Sequence, residues 1–157
     1  MARHLERLVG NRAILLHDRA VPRTRGNIDT IAVASSGIWV IDAKHWKGRV
    51  ERRDRGGLLR TDFRLYVGGR DRSKAIGGMG WQVAAVKGAG GGSPVHAALC
   101  FVEADWGLFA QPFRVDGVWV TWVKALAKKI VAPGPLSDTQ IEELAGQVSE
   151  RLPAKRP

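Results

Sequence analysis

The chain has 157 residues, 25 of them Lys or Arg and 15 Asp or Glu, giving a net charge of +10. That length fits one domain, residues 1–157, and a hydrophobic content of 45% excludes wholesale disorder. A single Cys excludes an intrachain disulfide framework and a Cys-rich zinc module, and no apolar run approaches the roughly 18 residues of a membrane span.

In chain order, residues 2–9 read as a short helix with Leu5, Leu8 and Val9 on one side. Ala13–His17 reads as a first strand, and residues 22–27 as a basic loop. Ile28–Ala34 and Ile38–Lys44 read as two strands joined through Ser35-Ser36-Gly37, a hairpin signal. A weaker strand is expected at Arg49–Arg53 and a short pair within Leu58–Val67. Arg72–Lys87 carries Ile76, Met79, Val83 and Val86 at helical spacing, although each of Gly77, Gly78 and Gly80 costs a helix about 1 kcal/mol against Ala. Val95–Glu103 and Gly117–Trp122 read as strands and Val123–Val131 as a helix stopped by Pro133-Gly134-Pro135. Ser137 and Gln140 have capping-box spacing and open a last helix that ends near Pro153. The irregular alternation predicts an α/β fold, a central mixed sheet flanked by helices.

The charge is uneven. Residues 1–74 hold 17 Lys and Arg against 8 Asp and Glu, and residues 75–157 hold 8 against 7. Such asymmetry is the electrostatic footprint of a polyanion binder. It favours nucleic acid over a membrane, because the basic residues fall on strands and loops and not on an amphipathic helix. Lys47, Arg49, Arg52, Arg53 and Arg55 are the candidate nucleic-acid contacts, with Arg52, Arg53 and Arg55 the densest cluster and Trp46 beside them a candidate for base stacking. With no apolar stretch of signal-peptide length at the N-terminus, the expected location is the cytoplasm.

Side chains alternate along a strand, so Asp42 and Lys44 share a face. They end a strand that is apolar on both faces from Ile38 to Ile41, and such a strand is central and covered on both sides. Charges there are costly unless paired or used. A two-residue turn at Ser35-Ser36 sets Asp29 opposite Asp42, whereas a three-residue loop closing at Gly37 shifts the register and requires a bulge. Two carboxylates and a lysine at one sheet edge suit metal-assisted phosphodiester hydrolysis. The carboxylates are hard ligands for Mg2+ or Mn2+, the metal polarises the phosphate and activates water, and the lysine positions that water or offsets phosphate charge. The alternative is an Asp42–Lys44 ion pair that satisfies only itself.

Residues 27–50, N-I-D-T-I-A-V-A-S-S-G-I-W-V-I-D-A-K-H-W-K-G-R-V, resemble the nuclease-related domain family (NERD), itself similar to the restriction-endonuclease-like PD-(D/E)xK nucleases. The resemblance continues through Leu65–Lys74, Gln82 and Leu99–Trp106. It implies a restriction-endonuclease-like sheet, metal-ligand roles for Asp29 and Asp42, the catalytic lysine role for Lys44, and a further site role for Gln82 on the helix after the hairpin region. Gln82 lies at the border of the apolar stripe, where an ordinary surface amide is the competing reading. The sequence departs from the family in one respect. The family's Gly-Glu pair near the start of the first helix has no good match. The expectation is therefore a first helix truncated at its start, a substitution by Glu6, or an incomplete acidic site.

Other residues carry no chemistry by spacing. His4, His17, His45 and His96 are scattered, Cys100 sits in an apolar strand, and neither G-x-S-x-G nor a phosphate-binding G-x-x-x-x-G-K-[ST] is present. Two functions therefore compete: a metal-dependent nuclease acting on nucleic acid, DNA first, and a non-catalytic nucleic-acid-binding module on the same scaffold. A protein-interaction domain is the third alternative and requires the basic half to be incidental.

Overall fold

A computed structural model describes residues 1–156. The chain begins with helix α1 (Ala2–Val9), one 3-10 turn (Gly10–Arg12) and strand β1 (Ala13–Ala20). The hairpin follows as β2 (Asn27–Ala34) and β3 (Gly37–Lys44), then a small antiparallel sheet of β4 (Val50–Asp54), β5 (Phe63–Val67) and β6 (Arg70–Asp71). Helices α2 (Lys74–Gly77) and α3 (Met79–Ala89) lead to β7 (Val95–Phe101), β8 (Phe113–Val115), β9 (Val118–Trp122), α4 (Val123–Ile130) and α5 (Asp138–Arg151). The main sheet runs β1-β2-β3-β7-β9-β8. The pairs β1–β2 and β2–β3 are antiparallel, β3–β7 and β7–β9 parallel, and β8 closes the edge antiparallel to β9. This is the expected α/β architecture with a mixed sheet between helices.

Alternation along β3 feeds two cores. Ile38 and Val40 enter a cluster with Met79 and Val86 of α3 and Ile141 and Val148 of α5. Trp39 and Ile41 enter another with Leu5 and Val9 of α1 and Leu126 and Ile130 of α4. Val50, Leu65 and Val67 tie the small sheet into the α3/α5 side. The hairpin register pairs Ala34 with Gly37, so the turn is the two-residue Ser35-Ser36 form. Gly37 has φ 125, and a Cβ there would come within 2.6 Å of the Pro94 carbonyl oxygen, which accepts the Ile38 N–H. Only glycine fits that corner.

Several elements differ from the sequence expectation. The helix foreseen over Arg72–Lys87 is broken at Gly77-Gly78 into α2 and α3, because consecutive glycines favour a joint over a continuous helix. Residues 58–62 add no strand: β5 starts at Phe63 and pairs with β4 and the short β6. The edge strand β8 is too short to show a period-2 pattern. The strand foreseen to Glu103 ends at Phe101, where pairing with Lys44 and Trp122 stops.

The capping box forms as foreseen. Ser137 Oγ accepts the Gln140 N–H at 3.3 Å, and Gln140 Oε1 accepts the Ser137 N–H at 2.9 Å. Ser137→Ala should cost about 1 kcal/mol, read as a lower urea midpoint with an unchanged m-value, because the cap supports a helix whose Ile141, Leu144 and Val148 complete the core.

Candidate active site

Strands β2 and β3 separate at the end of their ladder. Main-chain pairing stops at Thr30 and Ile41 although both strands run on, and the same register sets Asp29 opposite Asp42. The Asp29 side chain occupies this gap: its Oδ2 accepts the Ala43 N–H at 3.2 Å. Alternation carries Asp42 and Lys44 to the face of Ile38 and Val40. The Lys44 amine lies 3.0 Å from Asp42 Oδ1 and 3.1 Å from Oδ2, and both side chains are about one-fifth exposed.

The carboxyl of Asp29 is held above its ordinary range. Burial is the largest cause; the Ala43 N–H bond opposes it, the Asp42 charge adds to it, Lys44 opposes and Asp18 adds a little. Asp18 lies on β1 between the pairs His17–Thr30 and Arg19–Ile28, hence opposite Asp29. It has φ 46, in the left-handed region that Asp tolerates better than most residues. Beyond it, Arg19 turns toward α5 and donates to the carbonyls of Leu152 at 2.7 Å and Ser149 at 2.9 Å.

Arg72, to which the sequence reading gave no role, joins the site through Trp46. Lys44 Nζ lies 5.3 Å from the centroid of the Trp46 ring, and the Arg72 guanidinium lies 4.6 Å from the same centroid. Trp46 therefore serves as a packing partner for two cations and packs against the core. Gln82 is 6% exposed and not a surface amide. Its Nε2 reaches only Met79 Sδ at 3.8 Å, and its buried Oε1 has no partner among the described residues, nor does Arg72 Nε. Glu6 Oε1 sits 2.9 Å from His17 Nε2, and His17 Nδ1 sits 3.0 Å from Thr30 Oγ1, a chain tying α1 to the hairpin. Neither helix spacing nor strand alternation signals this chain of contacts in the sequence.

The basic candidates are exposed, yet they form no single patch. Arg52 lies over Phe63 at 4.4 Å, on the side of the small sheet that carries Leu65, which is its register partner. Arg53 lies on the other side, over Tyr66 at 4.3 Å and 2.7 Å from Glu51. Arg55 follows in the loop after β4; Lys47 and Arg49 precede it, with the Arg49 backbone in an isolated parallel β-bridge to Asp105. His45 pairs with Glu103 at 3.1 Å, and His96 packs on Trp39. Cys100 is fully buried, and burial pushes its thiol up to about 12, the behaviour of a core residue and not of a nucleophile.

A family model described as nuclease-related domain matches residues 1–102, well over half of the chain. The chain belongs to the NERD family. No curated protein and no solved structure matches it. The NERD match spans α1 through β7, and so includes Asp29, Asp42, Lys44 and Gln82. No helix among the described residues is long and apolar enough to cross a membrane.

The raised Asp29 carboxyl has a measurable consequence. The folded chain holds this proton more tightly than the unfolded chain, so the associated stability is complete below about pH 3.9, the unfolded value, and is lost as pH rises through the folded value. Asp29→Asn keeps an acceptor for the Ala43 N–H while removing the buried charge. The variant should therefore melt at a higher temperature than the unaltered chain at pH 7. Thermal unfolding below about pH 3.9 should show that advantage gone.

Proposed function

We propose that this NERD chain is a metal-dependent nuclease that hydrolyses phosphodiester bonds of nucleic acid, DNA first. Asp29 and Asp42 are the metal ligands, Lys44 is the catalytic amine, and Gln82 lines the site. The observation that carries this reading is the placing of Asp29 against Ala43 and of Lys44 against Asp42 where β2 and β3 part.

The donor set fits Mg2+ or Mn2+. Asp29 and Asp42, opposite each other in the register, are hard oxygen donors, and among the described residues no group of three or more His, Cys, Asp and Glu is close enough to hold an ion by protein ligands alone. Mg2+ is commonly held by one or two carboxylates, with water and substrate phosphate completing its shell. Asp29 is penalised by burial and by the Asp42 charge, and a cation beside the pair relieves both. When bound, such an ion polarises the phosphate and makes a water nucleophilic near neutral pH.

The chain's own residues do the rest. Asp29 is anchored by the Ala43 N–H, which fixes one carboxylate oxygen and leaves the other for a ligand. Asp42 holds the Lys44 amine within the site, where the amine donates to a phosphate oxygen or orients the attacking water. Trp46 packs against Lys44, and the buried, unpartnered Gln82 Oε1 is an acceptor for an ordered water.

A specific observation favours the second reading, a nucleic-acid-binding module without catalysis. Glu6, the only acid in the first helix, is engaged with His17 and is not grouped with Asp29 and Asp42. Plasmid incubated with the protein and Mg2+ or Mn2+ decides between the two. Cleavage that EDTA stops is the expected result, and DNA binding with no cleavage in either metal makes the chain a binding module. Asp42→Asn and Lys44→Ala should each lower cleavage at least about 100-fold, the scale of losing a positioned charge in a site, without unfolding the chain. Mn2+ should raise the melting temperature of the unaltered chain and have little effect on Asp42→Asn, since a ligand bound only by the folded state stabilises it.

A further inference from the structure

The cation surplus of residues 1–74 draws attention to the first half, but a second basic surface is built from residues 114–129. Arg114 on β8 and Lys129 on α4 both lie over the ring of Trp119 on β9, at 4.2 Å and 3.6 Å from its centroid. The two charges therefore lie within about one Debye length of each other. Neither has a carboxylate within 4.0 Å among the described residues. Burial, and after it the Arg114 charge, holds Lys129 below its ordinary lysine range, the mark of a cation without a counter-charge.

Two adjoining cavities share Lys129 and Ala132. One, of about 300 Å³, lies between Trp39, His96 and Trp119 on the sheet and residues 133–135. The other, of about 550 Å³, runs along α4 beside Lys124, Lys128 and Trp122. Four cations line the combined groove and no carboxylate does, among the described residues. The seven acids of residues 75–157 are elsewhere: Asp138, Glu142, Glu143 and Glu150 sit on α5, across the sheet from α4, and Glu103, Asp105 and Asp116 lie between strands, outside the lining of both cavities. All four cations of the groove lie outside the residues that match the NERD model, whereas Trp39 and His96 of its wall lie within them.

We propose that this α4 groove is a second contact site for a nucleic-acid strand, with Arg114 and Lys129 clasping one phosphate and Lys128 and Lys124 continuing the track. The proposal rests on the reading of the chain as a nucleic-acid-acting protein. A strand suits the groove better than a membrane does, because the cations line a concave channel floored by aromatic rings and do not flank an exposed apolar helix face. The Trp119 ring itself is covered by its two cations and acts as their support, so affinity here comes from phosphate contacts and depends strongly on salt.

The test measures binding, not cleavage. Fluorescein-labelled single-stranded and duplex DNA are titrated with protein in EDTA at several salt concentrations and followed by anisotropy. The Arg114→Ala/Lys129→Ala double variant should bind several-fold more weakly at low salt, with a salt slope smaller by about 1 for each phosphate no longer neutralised. Arg114→Lys/Lys129→Arg, which keeps both charges, should restore most of the affinity. Lys87→Ala, which removes an exposed charge from α3 on the other side of the sheet, should change affinity by less than about twofold, being remote from the groove. A double variant with unchanged affinity and slope overturns the proposal, while Asp42-dependent cleavage stands or falls by the plasmid assay. An unaltered chain that binds neither DNA also overturns it. If that chain instead sediments with phosphatidylserine vesicles, and the double variant does not, the groove is a membrane contact.

Discussion

The hydrogen bond from the Ala43 N–H to the Asp29 carboxylate sits where the central hairpin stops being a sheet. Two strands that part would leave main-chain groups unpaired, and a buried unpaired N–H costs about as much as a broken hydrogen bond. Asp29 supplies the missing acceptor. The carboxylate stays half-buried and energetically disfavoured as an anion, so the chain tolerates a strained charge to keep the strand ends open. The Asp42–Lys44 pair is the other half of the same arrangement, a compensated charge placed beside an uncompensated one.

Around that opening the two faces of the sheet differ in kind. The α3/α5 face carries the acids of α5, the small sheet and the candidate site, whereas the α1/α4 face carries the lysines of α4, with Lys129 over Trp119. A net charge assigned by position along the chain does not describe this, because within residues 75–157 the acids of α5 and the lysines of α4 lie on opposite faces of the sheet. Arg52 and Arg53 show the same effect on a small scale: neighbours in sequence, they lie on opposite sides of the small sheet.

The central hairpin was legible because its signals agree. A double-sided apolar run, a serine-glycine turn and charges at the strand end all point to one hairpin, while its register stayed open between a two-residue turn and a three-residue loop until the pairing of Ala34 with Gly37 selected the first. The capping box at Ser137 was legible for the same reason, a fixed spacing with one local geometry. The environment of the site was not. Arg72 meets Trp46 only after the small sheet has folded back, and Gln82 is buried with Met79 and Val86 on α3, against a packing face that helix spacing alone does not identify. Asp18 comes to face Asp29 through a left-handed residue that no strand pattern announces. Long-range packing set each of these, and local periodicity carries no record of it.

The strand order has a kinetic consequence. Strand β3 pairs with β2 through a two-residue turn, but its other neighbour, β7, arrives only after residues 45–94 have been traversed. The first pairing closes almost no loop, and the second must overcome the entropy of a long one before any contact rewards it. The β1-β2-β3 meander therefore has the low-cost route to early formation, with the parallel half of the sheet added later. During that interval one edge of β3, apolar on both faces from Ile38 to Ile41, is an open row of hydrogen-bonding groups, the kind of edge through which chains pair with one another. The stretch of sequence that builds the site is thus also the stretch most exposed to misassembly while the chain folds.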